Sequence, residues 1–205
     1  MISITVFIIL ITCLSSIAAL YNEKLMSDWI LNPALVYHKK QWWRMLTSGL
    51  LHADYMHLAI NMFVLYMFGN NLEHYFKYSH GSSGTIYFIL LYFIGIIIAN
   101  ISAVIKHRDH ISYNALGASG ATSALVFAFV VIDPWAKTIG FFIIPPGLLP
   151  NIMFGGLYLL YCVYMAKRGQ DNIGHEAHFY GALWGALFIF ITEPDVMKMF
   201  FEKLT

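Results

Sequence analysis

Three short patterns in this 205-residue chain carry side chains able to do chemistry, and each lies in an otherwise apolar stretch. The first is Gly117-Ala118-Ser119-Gly120-Ala121. Glycine on both sides of a serine lets backbone or substrate approach its hydroxyl closely. If a helix starts here, its first turn adds free N–H groups and the positive end of the dipole, both suited to an oxyanion. The second is Ala177-His178 followed by Gly181 and Gly185. A GxxxG pair allows close backbone contact with a neighbouring helix, and His178 lies one turn ahead on the same side. A serine on that neighbour would be within reach of a general base. The third is His52-Ala53-Asp54-Tyr55-Met56-His57 with Asn61 four residues on. His57 and Asn61 share one helix face and converge two donors on one point. Each pattern alone has a simpler reading: tight packing for the small residues, hydrogen bonds between helices for the polar ones.

The elements that must position these residues are membrane-spanning helices. Hydrophobic residues make up 59% of the chain, charged residues only 11%, and the mean hydropathy is +0.66. A water-soluble domain is nearer a quarter charged. Six apolar segments are expected as spans, at about 2–20, 54–76, 85–105, 118–133, 149–166 and 177–192. A span takes roughly 20 residues, so the fourth is short, and Asp133-Pro134 ends it. Its other end, next to Ser119, should stop inside the membrane and leave a cavity that holds water. Ile2 to Leu20 lacks a basic n-region and reads as a retained helix rather than a signal peptide, despite Ser16-Ile17-Ala18. Tyr21 to Leu51 mixes Trp29, Tyr37, Trp42 and Trp43 with Lys39, Lys40 and Arg44, the composition of a membrane–water interface. Pro145-Pro146-Gly147 reads as a turn at the opposite face. Cys13 and Cys162 fall in separate apolar runs and read as small apolar residues, not a disulfide. The expectation is an all-α membrane protein over residues 1–205, one domain, with a short central fourth helix.

Taken together, the patterns resemble the rhomboid family of intramembrane serine proteases. Trp43-Arg44 is similar to that family's WR pair, and His52, His57 and Asn61 to its second-helix pattern. Gly69-Asn70-Asn71-Leu72-Glu73 is similar to its GxxxE, Gly117-Ala118-Ser119-Gly120 to its GxSG, and Ala177-His178 with Gly181 and Gly185 to its AHxxGxxxG. These occur in family order over a core of about residues 30–192. The resemblance implies a six-helix bundle and a Ser-His dyad, with Ser119 as nucleophile and His178 as general base. It implies an oxyanion hole of the Ser119 N–H with His57 and Asn61. His52 would organise the site from behind, and Arg44 and Glu73 would hold loop and helix ends. The substrates would be transmembrane proteins, cleaved through an acyl-enzyme with no metal or organic cofactor. One departure stands out: the family often stacks an aromatic residue, one turn after the nucleophile, on the catalytic histidine. Here that position is Ser123.

Other classes fit less well. A net charge of +1 gives no reason to expect nucleic acid. A zinc protease would need a histidine four residues after His175, and that position is Phe179. A channel or transporter would spread polar residues along a pore, whereas these gather around one point. The alternative from another class is an inactive rhomboid-like chaperone or substrate binder, although such relatives typically lack the serine or histidine kept here. Family precedent, in a bacterial inner membrane, puts both termini in the cytoplasm. Lys24, Lys39, Lys40, Arg44, Lys106, Arg108, Lys167 and Arg168 then lie outside, against Lys77, Lys137, Lys198 and Lys203 inside. That distribution opposes the positive-inside rule.

Overall fold

The structure is a computed structural model that describes residues 3–140, 145–168 and 174–202. Ile2 and Lys203, named above, fall outside the described residues. Helices α1 (Ile4–Leu20), α5 (Tyr55–His80), α6 (Gly84–His107), α7 (Ser119–Ile132), α8 (Asn151–Arg168) and α9 (His175–Thr192) occupy the six apolar segments. Tyr21 to Leu51 folds into α2 (Glu23–Trp29), α3 (Pro33–Lys39), α4 (Arg44–Thr47) and a 3-10 turn. Asn22 and Asn32 set the starts of α2 and α3 by accepting from the backbone N–H three residues on. A last helix, α10 (Pro194–Glu202), follows α9 after Glu193. No strand forms among the described residues; Leu31 and Ala115 make a single antiparallel bridge.

Apolar side chains cover the outside of the bundle as well as its core, and several small polar ones are buried. Leu14, Leu160 and Ile191 point outward at 70%, 68% and 66% exposure, while Thr5, Thr12, Ser16, Asn61, Thr122 and Ser123 are buried. An apolar belt of this extent suits lipid rather than water. The continuous run Tyr55–His107 is long and apolar enough to cross a membrane. The 3-10 turn Gly81–Ser83 folds it into two neighbouring helices, α5 and α6. α7 is the central element, packed against α5, α6, α8, α9 and α10. Its 14 residues reach only about 21 Å at 1.5 Å per residue. Beyond Pro134 the chain turns at Gly147, whose φ of +92° suits glycine. Fully buried Asn151 closes that connection, donating to Asp133 O and accepting from the N–H groups of Thr138 and Ile139.

Specific polar pins hold the bundle where apolar contact alone discriminates little. The Glu73 carboxylate accepts from Ile4 N (3.1 Å), Thr5 N (3.0 Å), Thr5 Oγ1 (2.8 Å) and Lys77 Nζ (2.6 Å). It therefore caps α1 with a negative charge at the positive end of the helix dipole. Gly69, one turn earlier, admits Thr5: a Cβ there would lie 2.8 Å from Thr5 Cγ2. Arg44, 5% exposed, does the same for the interfacial segment, donating to Ser27 O (2.6 Å), Ile30 O (2.9 Å) and Gln41 Oε1 (2.6 Å). Glu73→Ala should leave the buried Thr5 donors unsatisfied and destabilise the protein by about 1–3 kcal/mol. A lower unfolding midpoint in detergent checks this; an unchanged midpoint would show that α1 docks without the cap.

Candidate active site

The site forms where α7 and α9 meet at backbone contact. A Cβ on Gly181 would lie 2.0 Å from Gly120 O, and one on Gly185 would lie 2.0 Å from Ala124 O. Such spacing leaves room only for hydrogen at both glycines, and it permits Cα–H···O contacts between the helices. Gly120 in turn faces Ala99 of α6, where an added Cβ would lie 2.2 Å from Ala99 Cβ and 3.3 Å from Ala177 O. Ser119 and His178 are each one residue from that Gly120–Ala177 contact, and both are half-buried. Nucleophile and base candidates thus start two helices that touch at this end.

The loop entering α7 is shaped by the two histidines of the third pattern. Gly117 has φ +123°, a region L side chains rarely adopt. A Cβ there would lie 2.9 Å from His57 Cε1 and 3.0 Å from His57 Nε2, so the imidazole rests directly on this glycine. Gly117 N donates to Ser48 O (3.0 Å). His52, fully buried, bridges two elements: Nδ1 meets Ser16 Oγ at 2.9 Å, and Nε2 accepts from Ala118 N at 3.3 Å. Ser16 Oγ donates to Leu50 O (2.9 Å), so it must accept from His52 Nδ1–H, which leaves Nε2 unprotonated for Ala118. Burial, followed by the neighbouring His57, pushes His52 down to about 3, so this ring is neutral. It packs edge-on against His57, centroids 4.9 Å apart.

Asn61 is held from both ends. Its Nδ2 donates to His57 O (3.0 Å), and its Oδ1 accepts from Thr122 Oγ1 (3.2 Å), which also approaches Ser119 O (3.1 Å). One amide hydrogen remains for another acceptor. Thr122 escaped sequence reasoning, although its place three residues after Ser119 put it on the adjoining face.

Tyr158 escaped too. Its ring stacks on His178, centroids 6.4 Å apart and planes 16° apart, and its hydroxyl lies 2.9 Å from Ser123 Oγ. The aromatic absent from position 123 is therefore supplied by α8, and Ser123 is its polar anchor. The signal was a tyrosine one turn before Cys162 in a span with few polar groups, but no local spacing links it to His178.

The chain belongs to the rhomboid family: residues 39–194 match the Rhomboid domain model. It is 34% identical over 159 residues to "Putative rhomboid protease YdcA" of Bacillus subtilis (strain 168), covering 74% of this chain and 67% of that protein. "RHOMBOID-like protein 12, mitochondrial" of Arabidopsis thaliana is 28% identical over 70% of this chain. "Rhomboid-like protein 11, chloroplastic" of the same plant is 26% identical over 76% of it. The chain spans only 44% and 55% of those two plant proteins. Gly117→Ala should strain the loop and displace His57, at a cost of about 1–3 kcal/mol. Thermal unfolding in detergent measures it; equal midpoints would mean the positive φ is not required.

Proposed function

We propose that the chain is an intramembrane serine endopeptidase working through a Ser119–His178 dyad in one six-span membrane domain. The observation that carries this reading is the α7–α9 backbone contact, which sets Gly120 against Ala177 with His57 lying on Gly117 nearby. Family membership supports it, together with the name of the bacterial relative. In the proposed reaction His178 takes the Ser119 hydroxyl proton as Oγ attacks the peptide carbonyl of an unwound transmembrane segment. The oxyanion is held by the Ser119 N–H, His57 and the remaining Asn61 amide hydrogen. His178 then protonates the leaving amine, and water hydrolyses the ester. His52 keeps Ala118, and with it the Ser119 N–H, in place. Tyr158 fixes the plane of the His178 ring, so the stack limits where its nitrogens point.

Orientation follows family precedent, with both termini in the cytoplasm and the membrane that of a bacterial cell. Arg44 weakens the opposing charge count, since its guanidinium is committed to carbonyls of its own loop. A reporter fused to the C-terminus should register as cytoplasmic; an external reading would overturn the assignment.

Cleavage of a model transmembrane substrate in detergent or liposomes tests the chemistry. Ser119→Ala should reduce it to background, and a fluorophosphonate probe should label wild type but not that variant. Asn61→Ala should cost about 100-fold or more in rate. Tyr158→Leu should lower turnover about tenfold to 100-fold by freeing the imidazole, with Tyr158→Phe retaining more because the ring remains. Equal cleavage by the Ser119→Ala protein would sink the dyad. No cleavage and no labelling would leave a non-enzymatic rhomboid-like binder of transmembrane segments.

A further inference from the structure

Two chemically able side chains remain beside the candidate dyad with no part in the reaction just described: Cys162 and His175. His175 and His178 are three apart in α9, so they leave the helix on one face, with ring centroids 6.0 Å apart. α8 lies against α9. It presents Tyr158 to His178 and, one turn on, presents Cys162 to both histidines. One ligand atom each from Cys162, His175 and His178 lie within 4.8 Å of one another. Cys162 and His175 are 0% and 3% exposed, while His178 is half-buried. Glu176, between the histidines in sequence, is turned away to pair with Lys106.

We propose that Cys162, His175 and His178 form a binding site for a thiophilic divalent ion, with Zn2+ as the type case, and that the bound ion switches the protease off. The donor set is one sulfur and two imidazoles with no carboxylate, which suits zinc, cobalt or copper and disfavours magnesium or calcium. A tetrahedral centre with bonds of about 2.0–2.3 Å spaces its ligand atoms about 3.3–3.6 Å apart, so side-chain shifts of about 1 Å close the set. The fourth position is left for water. As the ion enters, the Cys162 thiol gives its proton to solvent and the thiolate binds.

The inhibitory consequence follows from the imidazole itself. A neutral ring has one lone pair in its plane, on one nitrogen, and a proton on the other. Once the metal takes the lone pair of His178, the other nitrogen carries hydrogen and donates only. Whichever nitrogen coordinates, His178 can no longer accept the proton of Ser119.

This inference rests on the dyad reading for its effect on activity, but not for the existence of the site. The test therefore has two readouts on the full-length protein in detergent. In the first, Zn2+ is titrated into the cleavage assay. Wild type should be inhibited and restored by a chelator, whereas Cys162→Ser and His175→Gln should need about tenfold more Zn2+ or higher, with metal-free rates near wild type. In the second, Co2+ is titrated into wild type and Ser119→Ala, where a near-ultraviolet thiolate-to-cobalt band should appear. Cys162→Ser should lose it. A wild type that cleaves, shows no such band and responds to Zn2+ as both variants do would overturn the metal site and leave the dyad standing. A Cys162-dependent band in a protein that cleaves nothing would uphold the site and remove the protease reading.

Discussion

The α7–α9 contact at Gly120–Gly181 and Ala124–Gly185 is the constraint on which the rest of the site depends. In lipid two apolar helix faces gain little by meeting, because the tails they displace are equally apolar. What remains is shape, and here the shape is set by hydrogen where a side chain would otherwise stand. A methyl on either α9 glycine would fall 2.0 Å from a carbonyl oxygen of α7. The helices would then have to part, and the residues at their common end would part with them. The nearness of the helix ends that carry Ser119 and His178 thus depends on two glycines one and two turns beyond His178. Gly120 also admits Ala99 of α6, so three helices meet at that one glycine.

Hydrogen bonds set what that packing leaves undetermined, and each of them joins elements distant in sequence. His52 ties α1, through Ser16, to the loop entering α7, through Ala118. Asn100 of α6 donates to Met45 O and Ser48 Oγ, fixing the backbone to which Gly117 N donates. Asn61 and Thr122 tie α5 to the first turn of α7. Buried polar groups of this kind are costly when half satisfied. The chain places them around the short helix, where a single fixed arrangement matters most.

Much of this was legible in the sequence, for a definite reason. Motifs confined to one helix, such as His57 with Asn61 or His178 with Gly181 and Gly185, obey the 3.6-residue period, so spacing alone gives their shared face. Helix ends were legible where proline or an apolar-to-polar change marked them, and α7 stops at Ile132, next to Asp133-Pro134. Contacts between helices were not. Nothing near Tyr158 announces that it covers His178, because the register of α8 against α9 depends on the packing of both. The same blindness hid two of the partners of Arg44, the Ser27 and Ile30 carbonyls, which leave no trace in residue type. The segment from Tyr21 to Leu51 was legible only in part: its aromatic and basic composition suits a membrane surface, but it does not tell that asparagine caps divide the segment into short helices.

Ser123 shows how the two kinds of information combine. As a one-residue substitution it reads as a loss, a ring removed from beside His178. In three dimensions it is half of an exchange: a large side chain at 123 would occupy the space now taken by the Tyr158 hydroxyl, 2.9 Å from Ser123 Oγ. A small residue at 123 leaves room for a ring from α8 to reach His178, and the Ser123 hydroxyl gives that ring's own hydroxyl a partner in an apolar interior. Moving the stacking group from α7 to α8 also changes what it is attached to. A ring on α7 would share its helix with Ser119, whereas Tyr158 shares one with Cys162. The orientation of His178 is thereby coupled to the packing of α8, the element that also brings a sulfur near that imidazole.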